Sequence, residues 1–191
     1  MQLSIRRARA SDAEALAALA ALTFPLACPP ETPATEIAAF IEEHLSPKNF
    51  RAYLADPCRV LFTAQDQSPQ DQSPHGQELA TVPRLLAYTM VVDAPPAAAD
   101  VAALITEPGA VEFSKCYAHP DTHGSGVASA IMSATLQWIG VQGQRPTWLG
   151  VNSKNVRAQA FYRKHGFAVV GTRSFQLRSR AEHDFVMVRS S

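Results

Sequence analysis

Two apolar rhythms alternate along the chain, one with period two and one with the spacing of a helix, and their order predicts the elements. Residues 3–8 alternate apolar and polar like a half-buried strand. Ser11-Asp12-Ala13-Glu14 then has the form of a capping box opening a helix with Leu16, Leu19 and Leu22 on one face. The proline-rich stretch 24–30 is expected to break that helix, and helical spacing resumes over 35–45 and 47–54 before Asp56-Pro57. Residues 59–64 and 84–92 have the character of strands. Between them Gln65-Asp66-Gln67-Ser68-Pro69 repeats at once as Gln70-Asp71-Gln72-Ser73-Pro74. With no apolar side chain to bury, that repeat predicts a mobile low-complexity hairpin loop over about 65–78.

A short helix is expected over 97–105, and Val111, Phe113, Cys116, Tyr117 and Ala118 mark a strand that stops at His119-Pro120. His123-Gly124-Ser125-Gly126 follows, and from Val127 apolar residues recur at helical spacing (Val127, Ile131, Ala134, Trp138) as far as Gly140. The glycines therefore join a strand to the first turn of a helix. Such a junction offers unpaired N–H groups with partial positive charge, and small residues let an anion approach them, so the stretch has the character of a phosphate cradle. Ser129 stands where a dinucleotide fingerprint needs its third glycine, and the Gly-Lys-Ser/Thr of a Walker-type loop is missing. A strand over 147–151, a helix from Ser153 to Lys164 stopped by His165-Gly166, and strands over 167–173 and 184–189 complete the chain. The order predicts an α+β fold, a mixed sheet with helices packed on it.

At 191 residues and 47% hydrophobic, the chain has material for one core, and residues 1–191 are taken as one domain. Lysine plus arginine equals aspartate plus glutamate at 17 each, so no global basic field draws in nucleic acid or an anionic membrane. Three cysteines, Cys28, Cys58 and Cys116, include no C-x-x-C pair, which fits reduced thiols in a cytoplasmic protein. No apolar run is expected to span a bilayer. His119, Asp121 and His123 lie close enough in sequence to raise a metal site, but three turn residues without a remote ligand more often face solvent, and no metal is expected.

His123, Gly126 and Ala128 occupy the specified places of Gln/Arg-x-x-Gly-x-Gly/Ala, the pyrophosphate loop of the GNAT superfamily of acyl-CoA N-acyltransferases, with histidine replacing Gln or Arg. Asn155, Ala158, Tyr162, Gly166 and Phe167 resemble the second signature of that superfamily, N-x-x-A-x-x-x-Y-x-x-x-G-F. The two motifs stand in family order and cover the C-terminal half. The resemblance implies a mostly antiparallel central sheet of six to seven strands flanked by about four helices. It also implies acetyl transfer from acetyl-CoA to an amine in a ternary complex.

On that resemblance, the amides of Gly124, Ser125, Gly126, Val127, Ala128 and Ser129 hold the pyrophosphate, with His123 at the loop entrance. Main-chain groups along Cys116, Tyr117 and Ala118 pair with the pantetheine as an added strand would, and an amide near the splayed end of that strand stabilises the oxyanion. Asn155 either contacts the cofactor or ties its helix to the neighbouring strand. Tyr162 is implied as the acid facing the departing thiolate; a phenol is roughly 1.5 units less acidic than a thiol, so hydrogen bonding is its chief role. An acceptor amine of reference pKa ~10.4 is neutral about once in 2,500 at pH 7, a handicap of roughly 4.6 kcal/mol. Glu112 is the implied base, acting either with a raised pKa or through a water, the alternative being an ordinary salt bridge to Lys115. Cys116 as an acyl-enzyme nucleophile lacks a neighbouring base, since Lys115 points to the opposite strand face.

The expected acceptor is a small-molecule amine, and Glu31, Glu36, Glu42 and Glu43 give the region that shapes the acceptor site an acidic bias suited to a cation. The alternatives are a protein N-terminal or lysine acetyltransferase and, from another class, a non-catalytic acyl-CoA-binding regulatory module. The resemblance also raises a homodimer through the last two strands.

Overall fold

β-branched and aromatic runs pair into one seven-stranded sheet, and the alanine-rich amphipathic stretches cover both of its faces. The computed structural model describes residues 2–67, 84–177 and 180–190. In chain order the elements are β1 (Leu3–Arg7), α1 (Ala13–Ala27), α2 (Ala34–Leu45), α3 (Pro47–Ala55), β2 (Arg59–Asp66), β3 (Leu85–Val92) and α4 (Ala99–Leu104). They continue as β4 (Val111–Ala118), α5 (Val127–Val141), β5 (Thr147–Asn152), α6 (Val156–Lys164), β6 (Ala168–Leu177) and β7 (Arg180–Arg189). The fold is α+β, with sheet order β1-β2-β3-β4-β5-β7-β6. Every neighbouring pair is antiparallel except β4 and β5, which run parallel. Gln65 and Asp66 of the repeat belong to β2, while the remainder of the expected loop from residue 68 onward lies outside the described residues.

One face of the sheet carries α1, the end of α2 and α3, with Leu16, Ala20, Leu45 and Phe50 packed on Tyr88 and Met90 of β3. On the other face, α5 buries Val127, Ile131, Met132 and Ile139 against β2, β3, β4 and β5. The short helix α4 sets Val101 against Trp148 and Val186, on the opposite side of β5 and β7 from α5. Between β3 and α5 a buried contact joins the Thr89 and Thr135 hydroxyls at 2.8 Å. Thr135 Oγ1 also donates to the Ile131 carbonyl, so its one proton is taken and Thr89 is the donor between the hydroxyls.

Several local expectations shift. The capping box at Ser11 does not form, because Ala10–Asp12 is a single 3-10 turn and Asp12 makes no side-chain cap to α1. Its carboxylate instead accepts from the Arg9 amide at 2.7 Å and from Arg6 at 2.7 and 2.9 Å, tying the end of β1 to the start of α1. The Arg6 guanidinium holds that carboxyl below its usual range. The helix does end within the stretch 24–30 as expected, but after Ala27 rather than at Pro25, which lies inside its last turn. A proline in the last turn forgoes only the bond its N–H would give, and the chain leaves the helix two residues later. Helix α6 begins after Asn155 rather than at Ser153, since the Ser153 amide donates to the His183 carbonyl at 2.9 Å across to β7. By length and composition the stretch Ala10–Ala27, mean hydropathy 1.2, is apolar enough to cross a membrane, contrary to expectation. Its apolarity comes from alanine and leucine, of which Ala13, Leu16, Ala17, Leu19 and Ala20 face the sheet core.

Leu16 is fully buried whereas Leu22, expected on the same face, is 46% exposed. Leu16→Ala should lower unfolding stability by about 3 kcal/mol and Leu22→Ala by less than about 0.5 kcal/mol, read from urea midpoints at constant slope.

Candidate active site

β4 and β5 begin side by side and then part. Only Val111 with Thr147 and Glu112 with Trp148 are in register; beyond them β4 stays with β3 and β5 stays with β7. Just past the fork, β4 carries an extra residue: Val91 pairs with Phe113 and Met90 with Lys115, leaving Ser114 unmatched. Such a bulge bends its strand and increases the local twist. It also resets which side chains share a face. Phe113 and Cys116 join the cluster under α5 and α6, whereas Tyr117 joins the cluster under α1 and α3. Strict alternation from Glu112 would put Lys115 on the opposite face; the bulge returns Lys115 to the Glu112 side, with Tyr117.

The fork opens into a cavity of about 380 Å³. Tyr162 and Asn155 reach it from α6, Glu112, Lys115 and Tyr117 from β4, Arg173 from β6 and Asp184 from β7. The segment from α1 to α2 adds an apolar wall that includes Phe24, Cys28 and Phe40, the two phenyl rings stacked at 4.4 Å. The expected acidic bias is not focused here. Glu31 pairs with Lys154, Glu43 lies beside His44, and Glu31, Glu36, Glu42 and Glu43 are all outside the lining, whose carboxylates are Glu112 and Asp184. Asp184 accepts from Arg173 at 3.0 and 3.2 Å, across a registered pair of the β6–β7 hairpin. The guanidinium lies against the backbone of Gly150, where a Cβ would stand 2.5 Å from it.

Around the fork, burial sets the protonation states. It pushes the Tyr162 hydroxyl well above the usual phenol range, with Cys116 and Tyr117 adding to the effect. Tyr162 therefore holds its proton and is a weaker acid than a free phenol, which favours hydrogen-bond donation over full proton transfer. The Cys116 thiol is pushed up to about 12 by burial, the reverse of what a nucleophile needs. Tyr117 rises for the same reason, and its ring stacks on Tyr88 with centroids 5.5 Å apart. Burial lowers the pKa of Lys115, opposed by the Glu112 charge and reinforced by that of Arg59. Glu112 is partly buried and forms no ion pair among the described residues, so the anticipated salt bridge to Lys115 is not made.

At the far end of β4, a 3-10 turn Pro120–Thr122 leads into the glycine loop. Gly124 and Gly126 have φ of 80° and 87°, and a Cβ built on either would meet nothing within 4 Å. Side chains rarely adopt that backbone, and the space over it is open to a ligand. Gly126 is the residue before α5, whose first amides have no partner within the helix. Val127 is buried, while Ala128 and Ser129 remain partly accessible. Ser125 departs from expectation: its amide donates to the Thr122 carbonyl at 3.1 Å and its hydroxyl to the same oxygen at 2.6 Å, so it fastens the loop. His123 is exposed, and Arg157 from the first turn of α6 comes within 3.5 Å of its Nδ1. A guanidinium thus stands beside the position where histidine replaces the expected Gln or Arg.

Asn155 Oδ1 accepts from the Ala158 amide at 3.0 Å as the N-cap of α6, and the residue also lines the cavity. Along β4 the His119 amide donates to Leu86 of β3 at 2.7 Å. Alternation then directs the main-chain groups of Cys116 and Ala118 to the opposite edge, where β5 has parted. His119 and Asp121 are gathered by Arg84, whose guanidinium is 2.7 Å from the carboxylate, a cation where a metal ion would have to stand. Sequence reasoning missed Arg157, the Arg173–Asp184 pair and the bulge at Ser114 that brings Lys115 to the Glu112 face. Only the hairpin pairing of Arg173 with Asp184 carried a signal, the opposite charges of a cross-strand pair.

The description "Acetyltransferase (GNAT) family" matches residues 41–167. An uncharacterized N-acetyltransferase of Mycobacterium tuberculosis is 40% identical over 179 residues, covering 94% of this chain and 97% of that protein; one from Mycobacterium bovis matches to the same extent. Among solved structures, the PaiA N-acetyltransferase of Thermoplasma acidophilum in complex with coenzyme A superposes with a TM-score of 0.73 at 16% identity, over all of both chains. The ribosomal-protein-S18-alanine N-acetyltransferase of Escherichia coli gives 0.65 at 14% identity, over 99% of this chain and 94% of its own. The family model and the relative at 40% identity show that the chain belongs to the GNAT family of acetyl-CoA-dependent N-acetyltransferases.

Proposed function

We propose that the chain acetylates the primary amine of a small molecule by direct attack within a ternary complex. The observation that carries this reading is the single cavity at the fork, lined from the α6 side by Tyr162 and from the α1 side by Glu112. When bound, acetyl-CoA supplies the thioester whose C–S bond breaks as the amide C–N bond forms. The amides of Gly124, Gly126, Val127, Ala128 and Ser129 would hold its pyrophosphate, with His123 and Arg157 adding positive charge at the mouth. The free main-chain edge at Cys116 and Ala118 would accept the pantetheine.

The residues divide the proton traffic. Glu112, partly buried and without an ion-pair partner, takes the proton from the acceptor ammonium directly or through a water. Tyr162, kept protonated by its surroundings, donates a hydrogen bond toward the sulfur side. The apolar wall of Phe24, Cys28 and Phe40 excludes water and leaves room for a compact acceptor. With the Cys116 thiol strongly disfavoured as a thiolate, transfer needs no acyl-enzyme.

A thiol-release screen of polyamines, amino acids, aminoglycosides and peptides with acetyl-CoA tests the reading. Release with small amines supports it; release with peptides alone turns it toward a protein acetyltransferase, and binding of acetyl-CoA without any release makes the chain a regulatory module. Tyr162→Phe should lower kcat by about 10²-fold while leaving the calorimetric Kd for coenzyme A within about twofold. Gly126→Val should do the converse, raising that Kd at least about tenfold, because a β-branched residue at φ 87° is strained and its side chain enters the anion's space. Intact-mass analysis after acetyl-CoA alone should show an unmodified chain; a stoichiometric 42 Da adduct on Cys116, roughly one acetyl, would reinstate the acyl-enzyme.

A further inference from the structure

The acceptor side of the cavity holds two opposite charges that do not meet. Glu112 and Lys115 share the α1–α3 face of β4 because of the extra residue at Ser114, and they stand roughly one same-face repeat apart, about 7 Å along the strand. Neither forms an ion pair or a side-chain hydrogen bond among the described residues, although both line the cavity. The other charged pair in the lining, Arg173 with Asp184, is closed at 3.0 Å. The Lys115 ammonium stands 5.7 Å over the ring of Tyr53, which Arg59 also covers at 4.9 Å, so an aromatic face and a second cation lie beside it, while Glu112 opposes them from a distance without pairing. Removing an ammonium from water without a counter-ion is costly, and burial already disfavours its charged form. An anionic group placed between Lys115 and the fork would relieve that cost.

We infer that the acceptor is a free α-amino acid, bound as a zwitterion with its ammonium toward Glu112, its carboxylate on Lys115 and its side chain toward the stacked Phe24 and Phe40. The inference rests on the reading of this cavity as the acceptor site. One carbon of such a ligand carries both charges, which is the arrangement the strand face offers. The amine gives one proton to Glu112 or its water and, as the amide forms, a second that ends on the departing sulfur. Its nitrogen bonds to the acetyl carbon while the C–S bond breaks, so the products are an N-acetyl amino acid and a free thiol. Lys115 is a binding residue here: it fixes the carboxylate and thereby aims the amine.

Matched pairs that differ only in the carboxylate test this. Thiol release is compared for phenylalanine and phenethylamine and for leucine and isoamylamine, with polyamines and peptides alongside. The expected result is a kcat/KM at least about 30-fold higher for each amino acid than for its decarboxylated partner. Lys115→Met should collapse that ratio through KM for the amino acid, and Lys115→Arg should restore most of it. Calorimetry of phenylalanine on the coenzyme A-saturated protein should show binding for the wild type and Lys115→Arg and none for Lys115→Met. If Lys115→Met does not fold, the wild-type ratio and Lys115→Arg decide. Equal use of phenylalanine and phenethylamine, or an equal fall for both in Lys115→Met, overturns the inference. Release with polyamines or peptides but with no amino acid overturns it while leaving acetyl transfer standing. No release with any amine removes both readings.

Discussion

Two residue pairs decide the architecture of this protein. β4 and β5 are parallel neighbours for the length of Val111 and Glu112 against Thr147 and Trp148, and then each follows its other partner. A sheet cannot leave a row of backbone groups unpaired in its interior without something to fill the gap. The separation therefore creates a demand for extended, hydrogen-bonding ligand between the strands, and it does so in the middle of the molecule, where both helical layers can reach it. The unmatched Ser114 reinforces the separation by bending β4 away, and it also chooses which side chains look to either side. Without it the cavity would present a different set of groups even if its volume were the same.

The two faces then take separate duties for simple reasons of packing. On the α5–α6 side the glycine junction and the α6 tyrosine are set by β4, β5 and β7, and α6 also reaches the junction directly through Arg157 beside His123. The buried hydroxyl contact between Thr89 and Thr135 helps, because it pins α5 to β3 at one register within an otherwise apolar contact surface. On the α1–α3 side the boundary is made by helices joined through a proline-rich segment, and its inner surface is aromatic and aliphatic. An apolar wall of that kind discriminates by shape, while the few charges near the fork discriminate by sign.

Much of this was legible in the sequence. The β4–α5 junction, the helix that carries Tyr162 and the glycine that ends it follow from local rules that hold whatever the surroundings: left-handed glycines, helical spacing and a C-terminal cap. The departures occur where a tertiary partner outbids a local preference. Asp12 is claimed by Arg6 from β1 and leaves the helix uncapped. Ser153 is claimed by β7, and Ser125 is used to fasten a turn. The bulge has no sequence marker at all, since nothing about Ser114 distinguishes it from its neighbours. Alternation rightly set Lys115 opposite Cys116, but that Lys115 shares a face with Glu112 three residues earlier could be seen only after pairing with β3 was known.

Gly150 has a consequence for how relatives of this chain could diversify. The Arg173 guanidinium lies so close over it that a single added carbon would collide with the nitrogen. The arginine would then swing off β5, loosen its grip on Asp184 and intrude on the hollow it now borders. The occupant of position 150 thus acts as a spacer that sets how far the interior extends toward β7. Bulk added there would shrink the range of accommodated molecules without touching a single residue that handles protons.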